Sequence, residues 1–347
     1  MSPRPTVTVI VPCRNEEQYI GPCLDSILAS DYPQDRLEVL VVDGMSEDRT
    51  REILGQYGAR HKWIRLIDNP RRITPVALNL AIRAATGDVL VRMDAHVTYP
   101  ANYISRLVAA LDEFGADNVG AVLRTLPAGD GAMARAIAVA MSHPFGVGTS
   151  YFRIGTAAPR WVDTIAFFCV RRKTFERVGL FDEDLIRHQD GEFNARLIKA
   201  GGRILLLPDI ESRYYARGTL RQVARMFYQY GYFKPLVAKK LGRVMTLRQL
   251  VPPGFVLALA LTGIAGVLWT PAAVACAAVS GSYLLIVGGS ALQAAGKHGV
   301  RCGLALAAVL PTMHMSYGYG FWRRVVELLL PTRRAPAEPS TELPLSR

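Results

Sequence analysis

The chain has 347 residues, of which half are hydrophobic, and carries a formal net charge of +12 at neutral pH. A chain of this length forms one large domain or two ordinary ones. Its five cysteines are scattered without a CxxC pair, which argues against a disulfide framework and a zinc site and predicts a reducing, cytoplasmic setting. The N-terminus leads directly into a predicted strand and has no signal-peptide pattern.

The first 125 residues alternate short, β-branched runs with amphipathic helical patterns. The runs predicted as strands are 6–12, 37–43, 63–68, 88–94 and 119–125. Several of them are continuously apolar, as expected for strands that are covered on both faces. This alternation predicts an α/β fold with a parallel, Rossmann-like sheet, in which the ligand lies beyond the carboxyl ends of the strands.

The pattern is less regular between residues 130 and 215. Two further strands are predicted at 161–172 and 203–208, and two helices at 173–179 and 192–200. The second helix is followed by two glycines, which end helical periodicity. Residues 1–212 are therefore assigned to one α/β domain.

A strongly basic segment follows this domain. Nine Lys and Arg residues and no acidic residue lie between Arg213 and Arg248, with aromatic residues interleaved and an apolar stretch directly afterwards. This combination predicts interfacial helices at 213–250 on a membrane with anionic head groups. Nucleic acid is not expected as a partner, because no recognition module accompanies the charge.

The apolar region at 251–322 is predicted to hold two or three membrane helices. Two full crossings are expected at 252–269 and 272–292, each about the length that a hydrocarbon core of roughly 30 Å requires. The basic loop with Lys297, His298 and Arg301 is then expected on the cytoplasmic side.

The third apolar segment, 302–321, is open to three interpretations. A full crossing would place the arginines after it on the outer side, so a re-entrant or an interfacial helix is the alternative. Within this segment His314 is expected to make a helix–helix hydrogen bond rather than a lipid-diphosphate contact. Residues 323–347 are predicted as a basic and then disordered tail.

Polar side chains follow the predicted strands at their carboxyl ends. Asp43 ends the second strand, and Asp94 and His96 follow the fourth. At a period of two residues, Asp94 and His96 point to the same side and could reach one bound ion. The first strand is not followed by a GxGxxG or a Walker A sequence, so an NAD enzyme or a P-loop ATPase is not expected.

Four stretches together resemble the inverting family-2 glycosyltransferases. They are VTVIVPCRNEE, LEVLVVDGMSED, VRMDAH and HQDGEFNARL, and the resemblance covers roughly residues 5–235. MDAH, SHPFGVG at 142–148 and the apolar C-terminal region are similar to the subgroup of succinoglycan glucosyltransferases, which extend a polyprenyl-diphosphate-linked sugar during exopolysaccharide assembly. The resemblance implies a GT-A type nucleotide-sugar-binding domain followed by transmembrane helices. It also implies a UDP-sugar donor, a polyprenyl-linked acceptor and a cytoplasmic-membrane location, with the catalytic domain facing the cytoplasm.

The resemblance implies a metal site at Asp94. The family motif there is DxD, and its second acid is replaced by His96. A divalent cation at this place would act as a Lewis acid on the leaving diphosphate. Imidazole accepts Mn²⁺ better than Mg²⁺, so Mn²⁺ is favoured. A hydrogen bond from His96 to phosphate is the alternative role.

The resemblance also implies a catalytic base. Asp190, in His188-Gln189-Asp190, matches the family motif whose Asp removes the proton of the acceptor hydroxyl. The alternative is an N-cap of a helix that begins near Gly191.

Further residues are implied as contacts of the nucleotide-sugar, and they are Pro12, Arg14, Glu16, Asp43, Asp48, Asp94 and Arg225. Asp43 could instead shape a turn, and Asp48 could favour the N-terminus of the next helix. Arg14 could be a surface charge. Arg225 lies in a segment similar to the QxxRW motif of polysaccharide synthases, with Met226 in place of Trp, and could instead face the membrane surface.

These expectations define an inverting, metal-dependent glycosyltransferase. It would move a hexose, with glucose favoured, from a UDP-sugar to a polyprenyl-diphosphate-linked saccharide. One alternative is a polyprenyl-monophosphate sugar synthase. From another class, the alternative is a non-catalytic membrane scaffold that retains the fold.

Overall fold

The computed structural model describes residues 4–244 and 246–330, which form two compact units. The first unit contains residues 4–124 and 150–214, and the second contains the remaining described residues. Residues 125–149 thus group with the second unit, whereas the sequence-based division places them in the catalytic domain. The part of the predicted tail from residue 331 onward lies outside the described residues.

The described strands and helices have the following bounds. The strands are β1 (Val7–Cys13), β2 (Leu37–Asp43), β3 (Ile64–Asp68), β4 (Val89–Arg92), β5 (Val97–Thr98), β6 (Asn118–Leu126), β7 (Arg160–Val162), β8 (Cys169–Arg171) and β9 (Ile204–Tyr215). The α-helices are α1 (Ile20–Leu28), α2 (Thr50–Arg60), α3 (Thr74–Ala84), α4 (Tyr103–Glu113), α5 (Ala132–Ala140), α6 (Pro144–Val147), α7 (Tyr151–Ile154), α8 (Lys173–Val178), α9 (Gln189–Lys199), α10 (Leu220–Leu241), α11 (Val251–Gly266), α12 (Thr270–His298) and α13 (Val300–Leu329). Short 3₁₀ helices lie at Gln34–Arg36 and Leu247–Leu250.

The sheet is parallel in its first half and mixed beyond it. Its strand order is β3-β2-β1-β4-β8-β6-β9-β5, with β7 paired to β9. The pairs β1–β2, β2–β3 and β1–β4 are parallel, whereas β8 runs antiparallel to β4 and β6. The predicted Rossmann-like arrangement is confirmed for the first four strands, and the antiparallel strands are an addition to it.

The apolar runs form these strands because both of their faces are covered. Ile10, Leu40 and Leu90 are fully buried and belong to one core cluster, which also contains Leu78 from α3. Continuous burial of this kind is what a parallel strand between helices experiences. The same cluster includes Phe193 at the start of α9, so the core also fixes that helix.

The prediction of one strand at 161–172 is wrong. The structure has two short strands there, β7 and β8, separated by residues 163–168. Asn194 Nδ2 donates hydrogen bonds to Thr164 Oγ1 and to the carbonyl of Ile165, both at 3.2 Å. Ile165 itself is buried in a second core cluster. The side-chain contacts of this segment therefore replace the ladder bonds that a continuous strand would make.

The strand predicted at 203–208 continues to Tyr215, and the following helix starts later than predicted. In the second half of β9, buried Ile210, Ser212 and Tyr214 alternate with exposed residues, which is the period of a half-buried strand. The helical part of the basic segment begins at Leu220 rather than at residue 213. A capping box between Thr219 and Gln222 satisfies the first backbone amides of α10.

Two helices of the described chain are long and apolar enough to cross a membrane. The candidate spans are Leu247–Gly266 and Thr270–His298. Within the most apolar 18 residues of each span, only 6% and 11% are buried inside the protein. These spans correspond to the two predicted crossings. The predicted basic loop after them is reduced to Gly299, because α12 ends at His298 and α13 begins at Val300.

The third apolar segment is one continuous helix, α13, with Pro311 inside it. Whether this helix crosses the membrane, re-enters it or lies at its surface stays a prediction. His314 Nε2 donates a hydrogen bond to the carbonyl of Phe145, and its Nδ1 is hydrogen-bonded to Tyr283 Oη of α12, each at 2.9 Å. The predicted helix–helix hydrogen bond of His314 is confirmed.

The backbones of helices α10 and α13 are in direct contact. A Cβ atom on Gly231 would collide with the carbonyl of Tyr317, and one on Gly320 would collide with the carbonyl of Tyr228. Only glycine permits this closeness at both positions. The two glycines therefore allow the basic helix α10 to pack closely against α13 within the second unit.

Candidate active site

The carboxyl ends of three neighbouring strands carry the polar residues of the first unit. Cys13 at the end of β1 pairs with Asp43 at the end of β2, and Ile10 of β1 pairs with Arg92 at the end of β4. Asp94 follows β4 by two residues. The parallel register therefore brings the end of VTVIVPC beside Asp43 and Asp94, as the strand-end rule predicts.

Arg92 joins the two acids that the sequence singles out for metal binding and for catalysis. Its Nε lies 2.7 Å from Asp94 Oδ1, and its Nη2 lies 3.1 Å from Asp94 Oδ2. Its Nη1 lies 2.5 Å from Asp190 Oδ1. The structure thus brings Asp94 and Asp190 to one place, although 98 residues separate Arg92 from Asp190 in the chain.

Asp190 does not cap its helix. Helix α9 begins at Gln189, its N-cap residue is His188 in the left-handed conformation, and no side chain makes the cap hydrogen bond. Asp190 lies in the first turn and directs its carboxylate to Arg92. The N-cap alternative for this residue is therefore wrong.

The pKa of the Asp190 carboxyl group is raised above its usual range. Burial of the carboxylate raises its pKa to about 6, the Arg92 guanidinium opposes this rise, and the Asp94 carboxylate adds to it. A carboxylate with such a pKa accepts a proton more readily than an exposed one, and it is still largely ionised at neutral pH. The position of Asp190 beside Asp94 therefore suits a general base.

His96 is held by a buried carboxylate. Its Nδ1 lies 3.1 Å from Glu16 Oε1, and the Glu16 side chain is only 9% exposed. The ring of Tyr214 packs edge-on against the imidazole at 5.5 Å. Its other nitrogen, Nε2, makes no hydrogen bond to the residues that the structure describes. Metal-binding histidines commonly use one nitrogen on a carboxylate in this way and offer the other to the ion.

The described residues supply few ligands for a divalent cation at this place. Among the described residues no group of three or more His, Cys, Asp or Glu could hold an ion. Asp94 and His96 are the two expected ligands, and both oxygens of Asp94 already contact Arg92. Mg²⁺ and similar ions in nucleotide sites are typically bound by one or two protein ligands together with substrate phosphates and water.

Asp43 is completely buried and shapes the loop after β2. Its carboxylate accepts hydrogen bonds from Ser46 N at 3.0 Å and from Arg51 Nη1 at 2.7 Å, and it also contacts Ser46 Oγ. This loop lies against the segment after β1, where Asn15 N donates to Ser46 Oγ at 2.8 Å. The turn role of Asp43 is thus present, and its contact with the base or ribose stays a prediction.

Asp48 also organises this pair of loops. Its carboxylate accepts hydrogen bonds from the backbone amides of Glu17 at 3.2 Å and Thr50 at 3.0 Å. Burial raises the pKa of Asp48, but the hydrogen bonds from Thr50 and Glu17 outweigh it and lower the pKa overall. A charged Asp48 therefore stabilises the start of α2, as the alternative interpretation expects.

Arg14 covers the glycine that follows Asp43. A Cβ atom on Gly44 would lie 3.2 Å from side-chain carbons of Arg14, so glycine makes room for this arginine. Arg14 Nη2 lies 3.8 Å from Glu47 Oε1, and the side chain is 20% exposed. Pro12 is the sixth residue of β1 and pairs with Val42. The nucleotide contacts expected of Arg14 and Pro12 stay predictions.

Arg225 belongs to the second unit and is exposed on α10. The Gln of its QxxR sequence, Gln222, accepts backbone hydrogen bonds in the capping box. A structural role therefore explains part of this motif. The diphosphate contact expected of Arg225 stays a prediction.

Sequence reasoning missed Arg92 and Arg51, which bind the acids of the site. A signal for Arg92 was available, because an arginine inside the continuously buried run VLVR must have a buried partner. At a period of two residues that partner could have been Asp94. The second partner, Asp190, is a long-range contact that no local pattern indicates.

The chain matches the profile of the family described as "Glycosyl transferase family 2" over residues 8–183. This range contains the Arg92–Asp94 pair, and it is half of the chain. The chain belongs to glycosyl transferase family 2. It is 30% identical to the succinoglycan biosynthesis protein ExoA of Rhizobium meliloti, over 92% of this chain and 94% of that protein.

Two further similar proteins support the same assignment. A dolichyl N-acetyl-α-D-glucosaminyl phosphate 3-β-D-2,3-diacetamido-2,3-dideoxy-β-D-glucuronosyltransferase of Methanococcus voltae is 28% identical, over 67% of this chain and 74% of that one. The solved structure of the mannosyltransferase PcManGT of Pyrobaculum calidifontis, in complex with GDP-Man and Mn²⁺, is similar with a TM-score of 0.58 and 25% identity. It covers 90% of this chain and 88% of that one. The fold is therefore the GT-A glycosyltransferase fold, and the chain is a glycosyltransferase with apolar C-terminal helices.

Proposed function

We propose that this family 2 enzyme is an inverting, metal-dependent transferase that moves a hexose from a UDP-sugar to a polyprenyl-diphosphate-linked saccharide. The observation that carries the proposal is the meeting of Asp94 and Asp190 on the buried Arg92. A displacement with inversion needs a carboxylate for the incoming hydroxyl and compensation of charge on the leaving diphosphate. One site with two carboxylates in different surroundings can serve both needs.

Asp190 is the proposed base. The arginine contacts its Oδ1, and its Oδ2 makes no hydrogen bond within residues 4–244 and 246–330. The side chain keeps 28% of its surface exposed. An acceptor hydroxyl can therefore donate its proton to Oδ2 while Arg92 holds the other oxygen in place. The attack on the anomeric carbon then needs no covalent intermediate.

Asp94 and His96 are the proposed protein ligands of a divalent cation, with Mn²⁺ favoured because one donor is an imidazole. When bound, the cation supplies Lewis-acid stabilisation to the leaving diphosphate. Glu16 holds the imidazole in orientation through Nδ1. The similar mannosyltransferase of Pyrobaculum calidifontis was crystallised with Mn²⁺, which supports a divalent ion in this fold.

The two loops after β1 and β2 are proposed to bind the nucleoside. Backbone and side-chain hydrogen bonds connect them, among them Glu47 N to Asn15 Oδ1 at 2.9 Å. Pro12, Arg14 and Asp43 line this region in the proposal, and Asp48 keeps the loops in register. Arg225 is proposed to add a guanidinium contact to the diphosphate.

The membrane part of the proposal concerns the acceptor. A polyprenyl chain stays in the bilayer, and helices α11 and α12 are apolar enough to keep the enzyme there. The basic segment before α11 suits the anionic cytoplasmic leaflet, which supports a catalytic domain that faces the cytoplasm. Exopolysaccharide assembly is proposed from the similarity to ExoA, whose name refers to succinoglycan biosynthesis.

The proposal can be tested with the purified full-length enzyme in lipid nanodiscs. UDP-glucose, Mn²⁺ and a lipid extract that contains polyprenyl-diphosphate saccharides should give UDP release and a lipid product heavier by one hexose. A parallel reaction with polyprenyl monophosphate as the acceptor tests the alternative, because only a polyprenyl-monophosphate sugar synthase would transfer hexose to it. Neither nucleotide release nor nucleotide binding with any of these acceptors would favour a non-catalytic scaffold.

The rate of transfer is expected to depend on the ionisation of Asp190. Since its pKa is raised to about 6, the base is protonated below this value and ionised above it. The ratio kcat/KM for the donor should therefore fall about tenfold per pH unit below pH 6 and level off above it. Initial rates between pH 4.5 and 8 at low donor concentration measure this dependence. A midpoint near 4, the value of an ordinary carboxyl group, would contradict the assignment.

A further inference from the structure

We propose that Arg92 is a positioning residue of this transferase, which fixes the carboxylate of Asp190 relative to that of Asp94. The inference rests on the proposed function, because it concerns the same two acids. It gives a role to Arg92, to which the family resemblance assigns none and which contacts both acids. Its basis is the geometry of one buried guanidinium.

The guanidinium of Arg92 is immobilised on several sides. Its side chain is 5% exposed, and its Cζ lies 5.6 Å from the ring centroid of Phe167. The backbone amide of Arg92 donates to the carbonyl of Phe168 at 2.9 Å. The donors of a guanidinium lie in a rigid plane. When the arginine side chain is fixed, the groups that accept its hydrogen bonds are therefore held in fixed positions.

The guanidinium of Arg92 makes two hydrogen bonds to Asp94 and one to Asp190. Nε and Nη2 grip both oxygens of Asp94, so this carboxylate has one orientation. Only Nη1 reaches Asp190, and it takes Oδ1 alone. This arrangement orients the remaining oxygen of Asp190 without blocking it, which is what a base needs. A lysine in this place would offer a point charge without the planar fork.

A purely stabilising role explains these contacts less well. One guanidinium faces two carboxylates, so the cluster keeps a negative charge when both acids are ionised. Buried ion pairs contribute little net stability, because desolvation offsets their attraction. Arg106 gives a useful comparison, since it also joins two carboxylates, Asp209 at 2.6 Å and Glu113 at 2.7 Å, but both of these are about half exposed.

The test is a double-mutant cycle in the full-length enzyme in nanodiscs. Arg92→Lys should lower kcat about a hundredfold, since small misplacements of reacting groups cost this much. In the Asp190→Asn background the same substitution should lower kcat only about tenfold, because one of the two carboxylates that Arg92 positions no longer acts while Asp94 is still affected. The control Arg106→Lys should leave kcat within twofold of the wild type. Equal losses from Arg92→Lys in both backgrounds would overturn the proposal.

A structural readout separates this inference from the proposed function. In a crystal structure of Arg92→Met, we expect the Asp190 carboxylate to have left the orientation seen in the wild type. An unchanged Asp190 would overturn the inference, whether or not the enzyme transfers hexose. Wild-type protein that releases no UDP with any acceptor would refute the proposed function alone. If Arg92→Met does not fold, the crystal structure of Arg92→Lys provides the same comparison.

Discussion

Asp190→Asn is expected to lower kcat for hexose transfer by about a thousandfold, which is the middle of the range for loss of a general base. The amide cannot accept the proton of the acceptor hydroxyl, but it is nearly isosteric with the carboxylate. It can still accept the hydrogen bond from Arg92 at the position of Oδ1. Donor affinity should therefore change less than threefold. Product formation and nucleotide titration, both in nanodiscs, measure the two quantities.

The matched control for this variant is Asp117→Asn. The Asp117 side chain is 26% exposed, close to the 28% of Asp190, and it also binds an arginine, Arg177, at 2.5 Å. Asp117 immediately precedes β6 and is not one of the residues of the proposed site. This control should retain kcat within twofold. If Asp190→Asn instead abolishes nucleotide binding, the role of Asp190 is structural.

Asp94→Asn is expected to lower kcat/KM for the donor by about a thousandfold, because Lewis-acid stabilisation supplies several kcal/mol to such a reaction. A neutral amide is a poor ligand for a divalent cation beside a diphosphate. The variant should therefore lose most of the activation that Mn²⁺ gives the wild type, and its KM for the donor should rise. Rates at increasing Mn²⁺ concentration measure this loss.

Asp88→Asn provides the control on the same strand. Asp88 immediately precedes β4, at the end opposite to Asp94, and binds Thr6 through its carboxylate at 2.7 Å. Its loss removes a strand-end hydrogen bond without touching the proposed cation ligands. The control should keep its response to Mn²⁺. An Asp94→Asn variant that responds to Mn²⁺ like the wild type would contradict the proposed ligand role.

Local patterns predicted the parallel half of the sheet well. The runs around Ile10, Leu40 and Leu90 are apolar throughout, and only strands covered on both faces require this. The strand-end rule also predicts that Asp43 and Asp94 lie at the same edge of the sheet. Both inferences depend only on periodicity and on the geometry of parallel strands.

Long-range side-chain contacts could not be predicted in this way. The strand expected at 161–172 is interrupted because Asn194, on a distant helix, binds the backbone at Ile165. Arg92 was read as part of an apolar strand, although its contact with Asp190 connects the site. Such contacts depend on which elements the fold brings together, and a single sequence does not encode them in its local pattern.

The two interpretations of Asp43 show the same limit. Its position at a strand end was predicted, but its complete burial beside Arg51 and Ser46 was not. A strand-end carboxylate with several protein donors shapes its loop regardless of any ligand. A contact between Asp43 and the nucleoside stays a prediction.

The anomeric configuration of the transferred sugar tests the central claim most directly. A single displacement at a site with one base, Asp190, and charge compensation at Asp94 must invert that configuration. With an α-linked UDP-hexose labelled at its anomeric carbon, the NMR coupling constant of the lipid-linked product should report a β linkage. An α linkage, formed by the wild type and lost in Asp190→Asn, would contradict direct displacement and with it the role assigned to these two acids.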